Sequence, residues 1–233
     1  MANYKTDLQK STEKALRLLK KLDLQIPDLN DKATRNDLSG IYEDCFEAVA
    51  SSEKLAVTLR SIPILTGRPS AKMDLECVLD QEVPVEMGYT AKGWFVLKMP
   101  LLPSKKNRGS ADYVRGYLYP AAERFFKEDQ IGIRYDDCIL IFRHVYSWDR
   151  PEHKYRDHDN IELNMIVDTI AVKVMIDDAP MKCRHYYCSA PGKVEQTEVY
   201  VIPRSDFKSW LDMEDAIPEG GLKIEKTASF LKR

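Results

Sequence analysis

The 233-residue chain is short of several things that would have narrowed its role at once. It has no run of about 18 apolar residues, so no membrane-spanning helix is expected. Its first residues, "MANYKTDLQKSTEK", are polar and carry no charged-then-apolar leader, so secretion is not expected either. The five cysteines, Cys45, Cys77, Cys138, Cys183 and Cys188, are odd in number and lack Cys-x-x-Cys spacing, which points to a reduced, cytoplasmic chain without a disulfide framework. Charge of one sign is missing as well. With 35 basic against 37 acidic residues the net charge is −2, so the chain does not coat DNA by bulk charge, although a local basic patch suffices to bind nucleic acid. No internal repeat, Gly-rich phosphate loop or Ser-His-Asp arrangement is recognisable.

What is present falls into two parts. Residues 1–80 read as a helical extension. Leu8, Leu16, Leu19 and Leu22 lie near helical spacing, and Leu38, Ile41, Tyr42, Cys45, Phe46 and Val49 form a stripe on a second helix. Residues 85–233 read as an α+β domain with one mixed sheet. "GWFVLKMPL" is strand-like, "LPSKKNRGS" is a basic loop, and "YPAAERFFKEDQ" opens a helix at Pro120. "DDCILIFRHVYSW" is a strand, and "NIELNMIVDTIAVKV" returns to helical period. "MKCRHYYC" and "QTEVYVIP" are strands joined at "SAPGK", and "RSDFKSWLDM" is a short helix.

The chemistry is concentrated in "KYRDHDNIELNMIVDTIAVKVMIDDAP", which holds five aspartates. In an extended segment Asp157 and Asp159 point the same way. Asn160, Asn164 and Asp168, spaced by four, would form a polar stripe along a helix. Asp177 and Asp178 follow it. A carboxylate set with little nitrogen or sulfur suits Mg²⁺ or Mn²⁺, which can activate water and clamp a phosphodiester. Any one of these residues is more simply a cap or a solvated turn. Lys105, Lys106 and Arg108, with Arg115, Lys154 and Arg156, are candidate phosphate contacts. Trp148, Tyr155 and Tyr186 are candidates for stacking on bases. Cys183, His185 and Cys188, even with His144, lack zinc-finger spacing.

The order of these motifs resembles the RusA-like Holliday-junction resolvases over residues about 94–203. The elements that carry the resemblance are "DHDN" at 157–160, Asp168, the Asp177–Asp178 pair, the basic loop "KMPLLPSKKNRGS" and the final "SAPGKVEQTEVYVIP". The resemblance implies that Asp157, Asp159 and Asp178 hold Mg²⁺ and catalyse phosphodiester hydrolysis in branched DNA. It makes Asp168 an additional metal ligand and Asn160, Asn164 and Asp177 auxiliary residues. It also implies a homodimer, and leaves residues 1–80 as an unrelated extension that could dock a protein partner. One departure stands out: Glu162, Leu163 and Asn164 occupy the place where the family carries a lysine. Two other functions therefore stay open. One is a mobile-element anti-CRISPR protein that cleaves or blocks the guide RNA of a CRISPR effector. The other is a catalytically inactive module that binds nucleic acid or protein.

Overall fold

The computed structural model describes residues 2–105, 110–128, 132–151 and 155–225. It is α+β: among the described residues six α-helices accompany a five-stranded mixed sheet. The chain divides into two compact units. One comprises residues 1–78 and 105–116, the other residues 79–104 and 117–233. Residues 105–116 therefore group with the N-terminal helices, which sequence boundaries at 80 and 85 do not foresee.

The first unit is built on helices α1 (Ala2–Thr34) and α2 (Leu38–Leu65), followed by α3 (Ala71–Glu82). Asp37 caps α2, its side chain accepting the Gly40 amide. Asn36 supplies the left-handed turn between α1 and α2, with φ of 58°. The two helices run antiparallel: Lys32 pairs with Asp44, while Lys21, further back on α1, pairs with Glu47, further on along α2. Within the same unit, Arg60 donates to the Tyr113 carbonyl and lies over the Tyr113 ring.

In the second unit the strands are β1 (Glu86–Tyr89), β2 (Phe95–Pro100), β3 (Cys138–Ser147), β4 (Cys183–Gly192) and β5 (Gln196–Pro203). Their order is β1-β2-β5-β3-β4. Only β3 and β4 are parallel neighbours; the other pairs are antiparallel. The strands β4 and β5 are consecutive yet do not pair, because β3 lies between them. Helix α4 (Ser110–Glu128) begins ten residues before Pro120, which lies inside it rather than at its first turn. Helix α5 (Asn164–Val174) begins after "DHDNIEL", and α6 (Phe207–Leu211) is the short C-terminal helix. Asn160 therefore does not share a helix with Asn164 and Asp168; residues His158–Asn160 form a single 3₁₀ turn.

Strand alternation gives the sheet two different faces. One carries Phe95, Leu140, Phe142 and Val199, and Phe125 and Phe126 of α4 lie against Phe95. The other packs Val96, Ile139, Ile141, Tyr200 and Ile202 with Trp94, Trp210 and Ile217. Amid this second core is a buried ion pair. Arg143 reaches both carboxylate oxygens of Glu198 at 2.9 Å. Gln196 and the Tyr200 hydroxyl donate to the same carboxylate at 2.7 and 2.5 Å. Gly221, with φ of 75°, lies so close that a Cβ there would meet the Glu198 carboxyl at 2.8 Å. The residue must therefore be glycine both for its backbone conformation and for space.

Removing one member of a buried, hydrogen-bonded ion pair strands the other. Glu198→Ala is expected to lower stability by about 3–5 kcal/mol. Lys223→Ala, at an exposed pair with Glu225, should change it by less than about 1 kcal/mol. Urea denaturation of the two variants measures the contrast.

Candidate functional site

Adjacent residues of β3 point to opposite faces, so His144 leaves the sheet on the side away from Arg143. It is completely buried, and its Nδ1 lies 3.2 Å from the Thr197 hydroxyl on β5. That hydroxyl oxygen already accepts the Leu102 amide. With the hydroxyl proton assigned to His144 Nδ1, Nε2 is the N–H of the ring. Nε2 is buried and has no hydrogen-bond partner. Burial holds the His144 pKa down at about 4, helped by the charges of His158 and Arg156.

Three further side chains complete the niche. His158, on the 3₁₀ turn, stacks on His144 at 5.7 Å between ring centres and on Tyr187 of β4 at 5.5 Å. Its Nδ1 is also buried without a partner. Tyr146 follows His144 on the same face of β3, with ring centres 6.4 Å apart, and its hydroxyl is buried without a well-formed hydrogen bond, although the Arg156 amide approaches it. Burial raises the Tyr146 pKa, while the nearby Arg156 amide and guanidinium and the Arg150 charge oppose the rise. Three buried polar atoms without partners on neighbouring rings are costly, at about 1–3 kcal/mol each when nothing satisfies them. Unused atoms of this kind are where a bound water or ligand group would supply the missing hydrogen bond.

The rim of this niche is aromatic and cationic. Tyr155 stacks on Tyr146 at 4.9 Å and is exposed; along the chain, two residues beyond Tyr146 and just past the end of β3, Trp148 is 60% exposed, its amide bonded to the Gly192 carbonyl. Arg150 lies over the Tyr146 ring at 5.3 Å and pairs with Glu195 at 2.8 Å. Arg156 is half-buried, donates to the Leu102 carbonyl, and has its pKa lowered by burial and by Arg150. A separate open cleft of about 700 Å³ is lined by residues including Glu86, Met87, Lys98, Phe125 and Lys223. None of its side-chain polar atoms is buried without a partner, so its chemistry is less specific than that of the histidine niche.

The aspartates are distributed differently from the sequence expectation. Asp157 and Asp159 are exposed and flank His158. Asn160 accepts the Ser104 hydroxyl at 3.1 Å. Asn164 and Asp168 are exposed on α5. Asp177 caps its own turn by accepting the Ala179 amide at 3.0 Å. Asp178 is exposed and acts electrostatically on Cys183, at the start of β4. Cys183 and Tyr187 are four residues apart on that strand, roughly 13 Å of rise, so Asp178 acts at the start of β4 while His158 stacks on its middle. Among the described residues no group of three or more His, Cys, Asp or Glu is placed to hold a metal. Asp157, Asp159 and Asp178 are thus not gathered into a three-carboxylate centre. Lys105 is exposed, and Lys106, Arg108 and Lys154 lie outside the described residues.

Two other signals resolve cleanly. Tyr186 donates to Glu214, so its hydroxyl is engaged within the fold. Cys183 and His185 share one face of β4, whereas alternation turns Cys188 to the other. Cys183 lies opposite Cys138 of β3. Hydrogen bonding from Cys138, then from His185, holds the Cys183 thiol below its ordinary value against the effect of burial, with Cys138 correspondingly raised. His158 is the residue that sequence reasoning passed over, and it weighed His144 only as a fourth zinc ligand. His144 in a strand reads as core, and only tertiary structure brings His158 onto it.

The His144 shift carries a pH signature. Its folded pKa lies below the unfolded value of 6.5. The unfolded chain therefore binds the extra proton, and stability falls as pH drops from about 6.5 to about 4. The loss should approach about 3 kcal/mol at full amplitude. Urea titrations across that range should show a steeper decline for the wild type than for His144→Gln, which keeps a polar side chain but does not titrate.

A family described as a family of unknown function, DUF6100, matches residues 4–228. No curated protein and no solved structure matches the chain. The family match overturns the resemblance to the RusA-like resolvases. A single family runs through the helices of residues 1–80 and the sheet alike, so that region is not an unrelated extension joined to a resolvase domain. The motif that carried the resemblance is a 3₁₀ turn ahead of the helix, with Asn160 tied to Ser104, rather than the opening of the helix itself. The chain belongs to the DUF6100 family.

Proposed function

We propose that the chain binds nucleic acid through the rim at the end of β3, with a base edge reaching the histidine niche. The observation that carries this reading is the exposed Tyr155 stacked on Tyr146, with Arg150 over the same ring, Arg156 next to Tyr155 in the chain, and a second exposed aromatic, Trp148, two residues beyond Tyr146. Exposed aromatic faces stack on bases whatever their identity, and neighbouring cations favour the phosphate backbone. Below the rim, His144 Nε2, His158 Nδ1 and the Tyr146 hydroxyl offer unused hydrogen-bonding capacity of the kind that reads a base edge. Single strands and unpaired loops expose such edges; a closed duplex does not.

A second reading adds hydrolysis, and the exposed pair Asp157 and Asp159 beside the niche favours it. Mg²⁺ keeps several waters and is commonly held by one or two protein carboxylates together with substrate phosphates. A pair of this kind could recruit Mg²⁺ or Mn²⁺ when a phosphodiester arrives. In that arrangement the metal would polarise a phosphate oxygen and lower the pKa of a bound water, while the rim holds the strand.

Fluorescence anisotropy with single-stranded DNA, single-stranded RNA and a four-way junction tests the first reading. Trp148→Ala should weaken binding to single strands by about 5- to 100-fold, the range set by one stacked base. The wild-type affinity should fall as salt rises. Absence of binding to all three probes at low salt would sink the proposal. Adding Mg²⁺ or Mn²⁺ tests the second reading. Cleavage by the wild type that Asp159→Asn abolishes would support it, and intact probes with both proteins would leave binding alone.

A further inference from the structure

Helices α1 and α2 each carry two apolar seams, and the hairpin uses one of them. On α1 the more buried positions are Leu8, Ser11, Ala15, Leu18, Leu22, Gln25, Leu29 and Lys32. They alternate by three and four, the spacing of a coiled-coil seam. On α2 the matching positions run from Ile41 through Ala48, Ser51, Leu55 and Thr58 to Leu65. One residue further along each helix lies a second set. On α1 it contains Leu16, Leu19 and Ile26, each more than half exposed. On α2 it contains Leu38, Tyr42, Val49 and Leu59, also exposed.

A step of one residue rotates the direction of a side chain by about 100°. Viewed from one end of an antiparallel pair, that rotation is clockwise on one helix and anticlockwise on the other. Both second seams are therefore carried to the same side of the hairpin. The result is a two-helix layer with an apolar inner seam and a parallel, uncovered outer one, which is half of a four-helix bundle. Contiguous apolar surface of this kind marks an association face.

We propose that the α1–α2 hairpin is a homodimerisation element that packs against the hairpin of a second copy as an intermolecular four-helix bundle. Charge favours this occupant. Helix α1 has seven basic and five acidic residues, and α2 has two basic and four acidic. A two-fold pairing that sets α1 against α2 of the other copy joins opposite net charges twice over. Size favours it too. About three positions per heptad over helices of 33 and 28 residues give each copy a number of contacts close to the 20–30 residues of a standard interface. Gln9, Thr12, Asp23, Asn30 and Ser52 interrupt the outer seam with polar groups, so the association is expected to be reversible rather than obligate.

Sedimentation equilibrium of the full chain over micromolar to hundred-micromolar concentrations tests this. The expected result is a mass rising toward twice 26.9 kDa. Leu19→Glu and Val49→Glu should each weaken dimerisation by at least about tenfold, with helical circular dichroism retained. Val194→Glu, which removes a still more exposed apolar residue from the turn between β4 and β5, should leave the dimer intact. A wild-type mass that stays monomeric throughout overturns the proposal, whatever the variants do. A dimer that survives both seam variants, or is dispersed by Val194→Glu, overturns it as well.

Discussion

The register of β3 on β5 is the constraint on which the second unit depends. It sets Arg143 opposite Glu198 and, one residue on, His144 opposite Thr197. The two pairs lie on opposite faces of the sheet, and both are buried. A slip of one residue would turn the guanidinium toward the aromatic face and the imidazole toward the Glu198 carboxylate. Each polar group would then be buried without its partner, which costs far more than a lost apolar contact. Hydrophobic residues alone would not hold this register so firmly, because β3 is apolar on both sides over most of its length. Polar residues are thus what fixes a strand that reads as uniformly buried.

The same register explains how binding chemistry can sit beside a rigid core. The Glu198 carboxylate is closed from every side by Arg143, Gln196, Tyr200 and the chain at Gly221. Its hydrogen-bonding capacity is used within the fold. On the other face, the Thr197 hydroxyl fixes the His144 ring through Nδ1 and leaves Nε2 unused. A side chain held by one nitrogen and open at the other is preorganised for a partner. On the proposed reading, the firmness of one face would support selectivity at the other.

Much of this architecture was legible along the chain. The α+β class and the helical nature of the N-terminal region followed from apolar periodicity, which is a local property. Local rules misplaced details where two of them competed. Pro120 read as a helix start because proline suits a first turn, yet α4 continues through it from Ser110. "SAPGK" read as the turn after a strand, but β4 runs on through Pro191 and Gly192 and the chain turns only afterwards. The tetrapeptide Glu86–Tyr89 was too short to signal a strand by alternation; pairing with β2 makes it one. The site was the least legible part. The run of aspartates drew attention because charge is visible in sequence. His144, His158 and Tyr146 come from separate or alternating positions, and nothing short of the folded sheet shows that their rings are neighbours.

The division of labour between rim and niche also bears on what kind of recognition the surface can support. A cationic imidazole beside Arg150 and Arg156 would add to a general attraction for phosphate. Burial instead keeps His144 neutral over the physiological range, with a pKa near 4. A neutral ring with one fixed N–H offers direction rather than charge, and direction is what distinguishes one base edge from another. The arginines, partly committed to Glu195 and the Leu102 carbonyl, supply a modest positive field without the flexibility of lysines. The net charge of the whole chain argues the same way: at −2 it provides little non-specific attraction. Binding at this surface would have to rest on stacking and on hydrogen bonds in the niche, and so on unpaired bases rather than on the phosphate backbone alone.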